Sequence, residues 1–142
     1  MAIEEQVNQH LESLPEAKRR DMCTIHDAIL AMNPGCKLWY SDGKDESGKV
    51  VSNPSIGYGT LRKQYANGQT KESFQAGISA NSAGLSVYIM GLDSRTYLPQ
   101  KYGESLGKAK VTGYCIKFKA LKDIDLQILM EAIQDGFDQT RA

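Results

Sequence analysis

No net charge survives in this chain of 142 residues, because seventeen Lys and Arg offset seventeen Asp and Glu. A global field of the kind that steers a protein onto nucleic acid or an anionic membrane surface is therefore excluded, and any electrostatic attraction has to be local. Cysteine is scarce: Cys23, Cys36 and Cys115 are odd in number, widely spaced and without a CxxC pair. That pattern argues against a disulfide framework and against zinc held by cysteine pairs, and for reduced thiols in a cytoplasmic protein. Long apolar runs are missing as well. The longest, residues 85–92, falls far short of the roughly 20 residues that span a bilayer, and the first residues lack a basic stretch followed by an apolar one, so no membrane partner is expected. Repeats and low-complexity segments are absent. What remains, 41% hydrophobic and 24% charged residues, is the composition of one globular domain, residues 1–142, able to bury a core without staples.

The elements can be read in order. Ile3, Val7, Leu11 and Leu14 recur at helical spacing, and Met22, Ile25, Ile29 and Met32 form the stripe of a second helix, with Pro15 in its first turn and Asn33-Pro34-Gly35 as its stop. Residues 36–40 read as a short extended segment and 41–53 as an exposed polar excursion in which Lys49, Val50 and Val51 form a small edge strand. Residues 56–65 are strand-like, Asn67-Gly68 is a strong hairpin signal, and 70–79 returns antiparallel with Phe74, Ala76 and Ile78 on one face. A turn at 81–84 leads to a third strand with Leu85, Val87 and Ile89 inward. Its reverse side, Ser86, Tyr88 and Met90, is too apolar for a wet surface and too polar for a core, which suggests partial cover or a cleft.

Ser94 or Thr96 then caps a helix carrying Leu98, Tyr102 and Leu106, with Gly103 and Gly107 as stops. Gly113 leads into a strand from Tyr114, and Asp123 or Asp125 caps a last helix with Leu126, Leu129, Met130, Ile133 and Phe137 on its stripe. The expected fold is α+β: a helical hairpin, an antiparallel meander, then helix, strand and helix, with the helices on one sheet face and the other face partly open.

Several strings give the chain a further context. Trp39, the run Pro54-Ser55-Ile56-Gly57-Tyr58-Gly59, the run Leu85-Ser86-Val87-Tyr88-Ile89-Met90, Leu106-Gly107-Lys108 leading through Lys110, Gly113 and Cys115, and the closing Leu121-Lys122-Asp123-Ile124-Asp125-Leu126 stand in an order that resembles the YdhG/YdeI-like family of small bacterial α+β domains. The resemblance covers nearly the whole chain and implies the same fold. Two features depart from the family pattern: residues 40–53 separate Trp39 from the Pro-Ser-Ile string, and the turn at 80–84, often basic in that family, is not. For function the resemblance implies little beyond iron carriage of the frataxin kind, as has been proposed for one relative.

The residues themselves offer four constellations. Lys101, Lys108, Lys110, Lys117, Lys119 and Lys122 are opposed within residues 101–122 only by Glu104. The loop is not a phosphate-binding P-loop, since GxxxxGK[ST] would need glycine where Tyr102 stands and Ser or Thr where Ala109 stands. Convergence of Lys108, Lys110 and Lys117 on a carboxylate or phosphate beside Tyr58 and Tyr88 would make a cleft for a small anionic metabolite, against the plain alternative of solvated strand-edge lysines. Nucleic acid is not an expected partner, because a long basic groove interleaved with exposed aromatics is missing.

Glu131, Asp135 and Asp138 share a face of the last helix and form the metal alternative, iron or another divalent ion, against an acidic wet face. Cys23 and His26 lie three apart, too few ligands for structural zinc, and read as core or its margin. Cys115 is the one nucleophile with basic neighbours, but a base would have to come from His10 or His26 at the other end of the chain, so no catalytic set and no cofactor are expected. A third class of function is a homodimeric interaction module in which a second copy seals Tyr88 and Met90.

Overall fold

The computed structural model describes residues 2–64 and 66–140. Its elements are α1 (Ile3–Ser13), α2 (Glu16–Met32), β1 (Leu38–Ser41), β2 (Ser55–Tyr58), β3 (Leu61–Gln64), β4 (Thr70–Ser73), β5 (Ala76–Asn81), β6 (Gly84–Ile89), α3 (Tyr97–Tyr102), β7 (Ala109–Val111), β8 (Cys115–Phe118), a single 3-10 turn (Leu121–Asp123) and α4 (Leu126–Thr140). The expected α+β architecture is the one observed.

The helical hairpin bends at Leu14, whose ψ of 151° is extended, as the residue before a proline must be when its helical conformation clashes with the ring. Pro15 therefore stands at the N-cap of α2, one place before the expected first turn, and its carbonyl accepts the Arg19 N–H at 2.8 Å. At the far end of α2 the Asn33 side chain donates to Ile29 O and to Gln134 Oε1 at 3.1 Å, which stops the helix and ties it to α4. Asp125 caps α4, its Oδ1 accepting the Ile128 N–H at 3.2 Å, and the helix continues past Phe137 to Thr140.

Six strands form one antiparallel sheet in the order β1-β2-β5-β6-β8-β7, and β3 with β4 forms a separate two-stranded ribbon. The turns at Asn67-Gly68 and at 81–84 fall where the sequence puts them, with Gln64 opposite Thr70 and Asn81 opposite Gly84. The two long strands expected on either side of Asn67-Gly68 are each broken in two. Residues 56–64 divide at Gly59, where φ is +79° and a Cβ would stand 2.7 Å from the Phe137 ring; Tyr65, the expected end of that strand, lies outside the described residues. Residues 70–79 divide at Phe74 and Gln75. Buried Gln75 accepts the Thr60 N–H on Oε1 and donates from Nε2 to Phe137 O and Thr140 Oγ1 at 2.8 Å, so a single amide pins both strand breaks to the end of α4.

That kink also takes Phe74 off the alternation. It lies over Gly57 and Gly77, which face each other across β2 and β5, and is thus on the side opposite Ala76 and Ile78. Two further expectations are corrected. Lys49, Val50 and Val51 make no strand beyond one bridge between Lys44 and Val50, because the excursion folds on Asp45, whose carboxylate accepts the N–H groups of Ser47 and Lys49. The lysine loop after α3 contains β7, the edge strand of the main sheet, at whose start a bridge pairs Gly107 with Ile124.

All four helices contribute to one core against one sheet face. Met22, Ile25 and Ile29 of α2, Leu98 of α3, and Leu129 and Ile133 of α4 are buried with Ile56, Tyr58, Ile78, Val87, Ile89 and Ile116 of the sheet. Each such side chain withdrawn from water stabilises the fold by about 1.5–3 kcal/mol before chain entropy is subtracted.

Candidate functional site

Tyr58 is not on the reverse face of the sheet. It is fully buried under α2, and its hydroxyl meets His26 Nδ1 at 2.7 Å. The physical reason is parity: Tyr58 is two residues from buried Ile56 in the same strand and must share its face. Burial holds the Tyr58 hydroxyl far above its ordinary pKa, with negative charge at Cys36, Asp27 and Cys23 adding to the effect, so the phenol stays neutral and serves as a core hydrogen-bonding group. Tyr88 does lie on the reverse face, half-buried, opposite Gly77 on one side and Cys115 on the other. The two tyrosines therefore cannot line one cleft.

The three lysines separate as well. Lys110 and Lys117 are cross-strand neighbours on β7 and β8, both exposed, and Lys117 stands opposite Ser86 on the face of Tyr88. Lys108 precedes β7. Its backbone N–H donates to Asp123 O at 3.0 Å, which turns the residue toward the 3-10 turn, and its side chain lines a different concavity.

That concavity is a cleft of about 580 Å³ between the start of α2, the β5–β6 turn and the corner after β8. Lys18, Lys108, Lys119 and Lys122 line it, with Asp21 and Asp123 as the acidic members. Three contacts fix its walls. The Lys18 ammonium donates to Asn81 O, Asp21 Oδ2 accepts the Leu121 N–H at 3.1 Å, and Gly84 lets β6 start so close to β8 that a Cβ there would lie 2.9 Å from Lys119 Cα. Ala17 and Lys18 belong to the first turn of α2, which no side chain caps, and the N–H groups of such a turn lack partners within the helix. Sequence reasoning picked out Lys108, Lys119 and Lys122 as part of a basic run but missed Lys18 and the cleft itself. Nothing in the local pattern couples residue 18 to residue 81.

On α4, Asp135 is bound to neighbours other than Glu131 and Asp138. It accepts from the Tyr97 hydroxyl, from Tyr102 at 2.8 Å, from Lys101 at 3.1 Å and, on its other oxygen, from Gln139 at 2.9 Å. Burial opposes ionisation, but the hydrogen bonds from Gln139, Tyr97, Tyr102 and Lys101 together hold the carboxyl well below the usual carboxylate range. In return, Tyr102 is pushed up to about 12 by burial and by its bond to Asp135. This is a lock between α3 and α4. Among the described residues, no three His, Cys, Asp or Glu side chains come together as a group able to hold a metal.

Cys115 is buried, and desolvation raises its thiol pKa against the opposing charge of Lys117 and a hydrogen bond from Ser86. A nucleophilic cysteine needs the reverse shift. Cys23 and Cys36 are half-buried free thiols, and burial raises both. Trp39 donates from Nε1 to Gly59 O at 2.7 Å and carries Lys37 over its ring, so it packs as part of the β1–β2 end. No described helix is long and apolar enough to cross a membrane. Compared with protein-family models, curated proteins and solved structures, the chain matched none.

Proposed function

We propose that the chain is a noncatalytic binding module for a small multiply charged anion, held in the cleft between α2, the β5–β6 turn and the corner after β8. The observation that carries this reading is the convergence of four lysines on one concavity in a chain whose net charge is zero. An ammonium offers three donors, and Lys18 spends one on Asn81 O, leaving donors for a ligand. Asp21 already accepts a backbone N–H, which reduces its competition for the lysines. The volume falls within the range of small-ligand sites, roughly 300–1,000 Å³. Phosphate or carboxylate groups, each able to take charge-assisted hydrogen bonds from more than one ammonium, match this lining better than a neutral ligand does.

The test is a titration with inorganic pyrophosphate and with citrate, followed by amide chemical shifts and calorimetry. Binding should shift Ala17, Lys18, Gly84 and Lys119, weaken as salt rises, and weaken about tenfold or more in the double variant Lys108→Ala/Lys119→Ala, as loss of charge-assisted bonds requires. Absence of saturable shifts at about 10 mM ligand, which corresponds to affinities too weak to matter, would remove the proposal.

A further inference from the structure

A second concavity, of about 620 Å³, lies at the opposite ends of β6 and β8 from the lysine cleft and shares no residue with it. Met90, Gly91, Leu92, Arg95, Gly113 and Tyr114 line it. Its character differs: the lining is apolar or backbone apart from one charge, the Arg95 guanidinium, and one phenol, that of Tyr114. Among the described residues the Arg95 side chain has no hydrogen bond, ion pair or ring contact, and Tyr114 is 58% exposed.

Both groups are held by their backbones. The β7–β8 turn is closed by Thr112, whose N–H and hydroxyl both bond Cys115 O and whose Oγ1 accepts the Cys115 N–H, while Tyr114 O accepts the Ile89 N–H at 2.8 Å. Gly113 is required by close approach: a Cβ there would lie 3.0 Å from both Cα and O of Arg95. No positive φ accounts for this glycine. On the other side, the Ser94 hydroxyl accepts the Thr96 N–H at 3.3 Å and bends the chain at Arg95. The turn and the Arg95 segment are thus pressed together, and the pressed pair forms the wall of the concavity.

We infer that this pocket binds a small monocarboxylate with an aromatic or branched apolar body, the carboxylate on Arg95 and the body against Tyr114, Met90 and Leu92. One unpartnered guanidinium matches one carboxylate in a bidentate pair. An aromatic face and a thioether offer dispersion contacts to a planar body. A polyanion would leave charges unmatched here, since no second cation lines the site.

The experiment uses the full chain, with 3-phenylpropionate as the probe and 3-phenylpropanamide as its neutral counterpart, followed by amide chemical shifts. The acid should bind saturably, shifting Gly91, Gly113 and Tyr114, and the amide should bind at least about tenfold more weakly. Arg95→Gln should reduce acid binding to the level of the amide. Arg95→Lys should recover part of it, since a point charge replaces a bidentate fork, and Tyr114→Ala should weaken acid and amide alike. Both side chains are exposed, so the variants should keep the wild-type spectrum elsewhere. Equal binding of acid and amide, unchanged binding by Arg95→Gln, or no saturable shift at about 20 mM probe would each overturn the assignment. Loss of binding in Lys108→Ala/Lys119→Ala would place the probe in the lysine cleft, which also overturns it while leaving the anion reading in place.

Discussion

The two faces of the six-stranded sheet are sealed by opposite means. Under the helices, large side chains meet large side chains, and Tyr58 and His26 among them pair with each other. On the reverse face no described helix packs, and burial is reached by making the strand residues small: Gly57 and Gly77 lie beneath Phe74, and Ser79 and Ser86 are almost fully buried, Ser79 donating to Pro54 O at 2.8 Å. The first face tolerates loss of atoms poorly and the second tolerates gain of atoms poorly. Function is proposed at neither centre. Both concavities lie at strand ends, where loops take over.

The largest expected effect comes from adding one methyl to the small-residue face. A Cβ at Gly57 would stand 2.7 Å from Phe74 Cβ and Cγ, so Gly57→Ala should destabilise by about 2–3 kcal/mol as an overpacked site. The same change in a Phe74→Gly background, where the Cβ and the ring are both gone, should cost well under half of that, and a double-mutant cycle in urea measures the difference. Additive costs would break the comparison.

Next in size is the lock on the helical side. Asp135→Ala removes the acceptor shared by Tyr97, Tyr102 and Lys101, which should cost about 2 kcal/mol. Because its pKa is depressed in the fold, the stability it supplies is present above the unfolded carboxylate value and is lost as pH falls below about 4. Acid unfolding of the wild type should therefore be steeper than that of the variant.

Tyr58→Phe should cost about 1–2 kcal/mol, since it leaves His26 Nδ1 buried without its partner. A smaller effect sharpens the same point. Burial lowers the His26 pKa, with Asp27 opposing, and lowers that of His10 too. The unfolded chain therefore takes up protons first, and stability held above about pH 6.5 should decline as pH drops below it. Urea midpoints between pH 7.5 and 5.5 check the sign, and the decline should shrink in His26→Gln.

Legibility in the sequence followed how local each cause was. Helical stripes, the Asn67-Gly68 turn and the turn at 81–84 depend on residues within a few positions, and these fall where the pattern puts them, apart from Met32, which is exposed, and Leu106, which lies beyond the end of α3. Parity in β2 was also readable, since Ile56 fixes Tyr58, but the polarity of the phenol drew it to the wrong face. The strand breaks at Gly59 and Phe74 depend on Gln75 reaching the end of α4, and the lysine cleft depends on Lys18 reaching Asn81; both are contacts of more than sixty residues' separation. Gly113 looked like a strand entry, and only the folded chain shows Arg95 against it. Lysines that are adjacent in sequence were divided by the strand β7, whose three residues are too few to leave a periodic signal.

β7 has a consequence for the protein among copies of itself. A chain without net charge has little long-range repulsion to keep its molecules apart, and a sheet edge is a template for unwanted growth. This edge is three residues long, Gly107 just before it is bridged to Ile124, and Lys110 with Lys117 beside it brings like charges against any identical strand that approaches. Lys110 and Lys117 thereby act as a local substitute for the colloidal repulsion that the composition withholds.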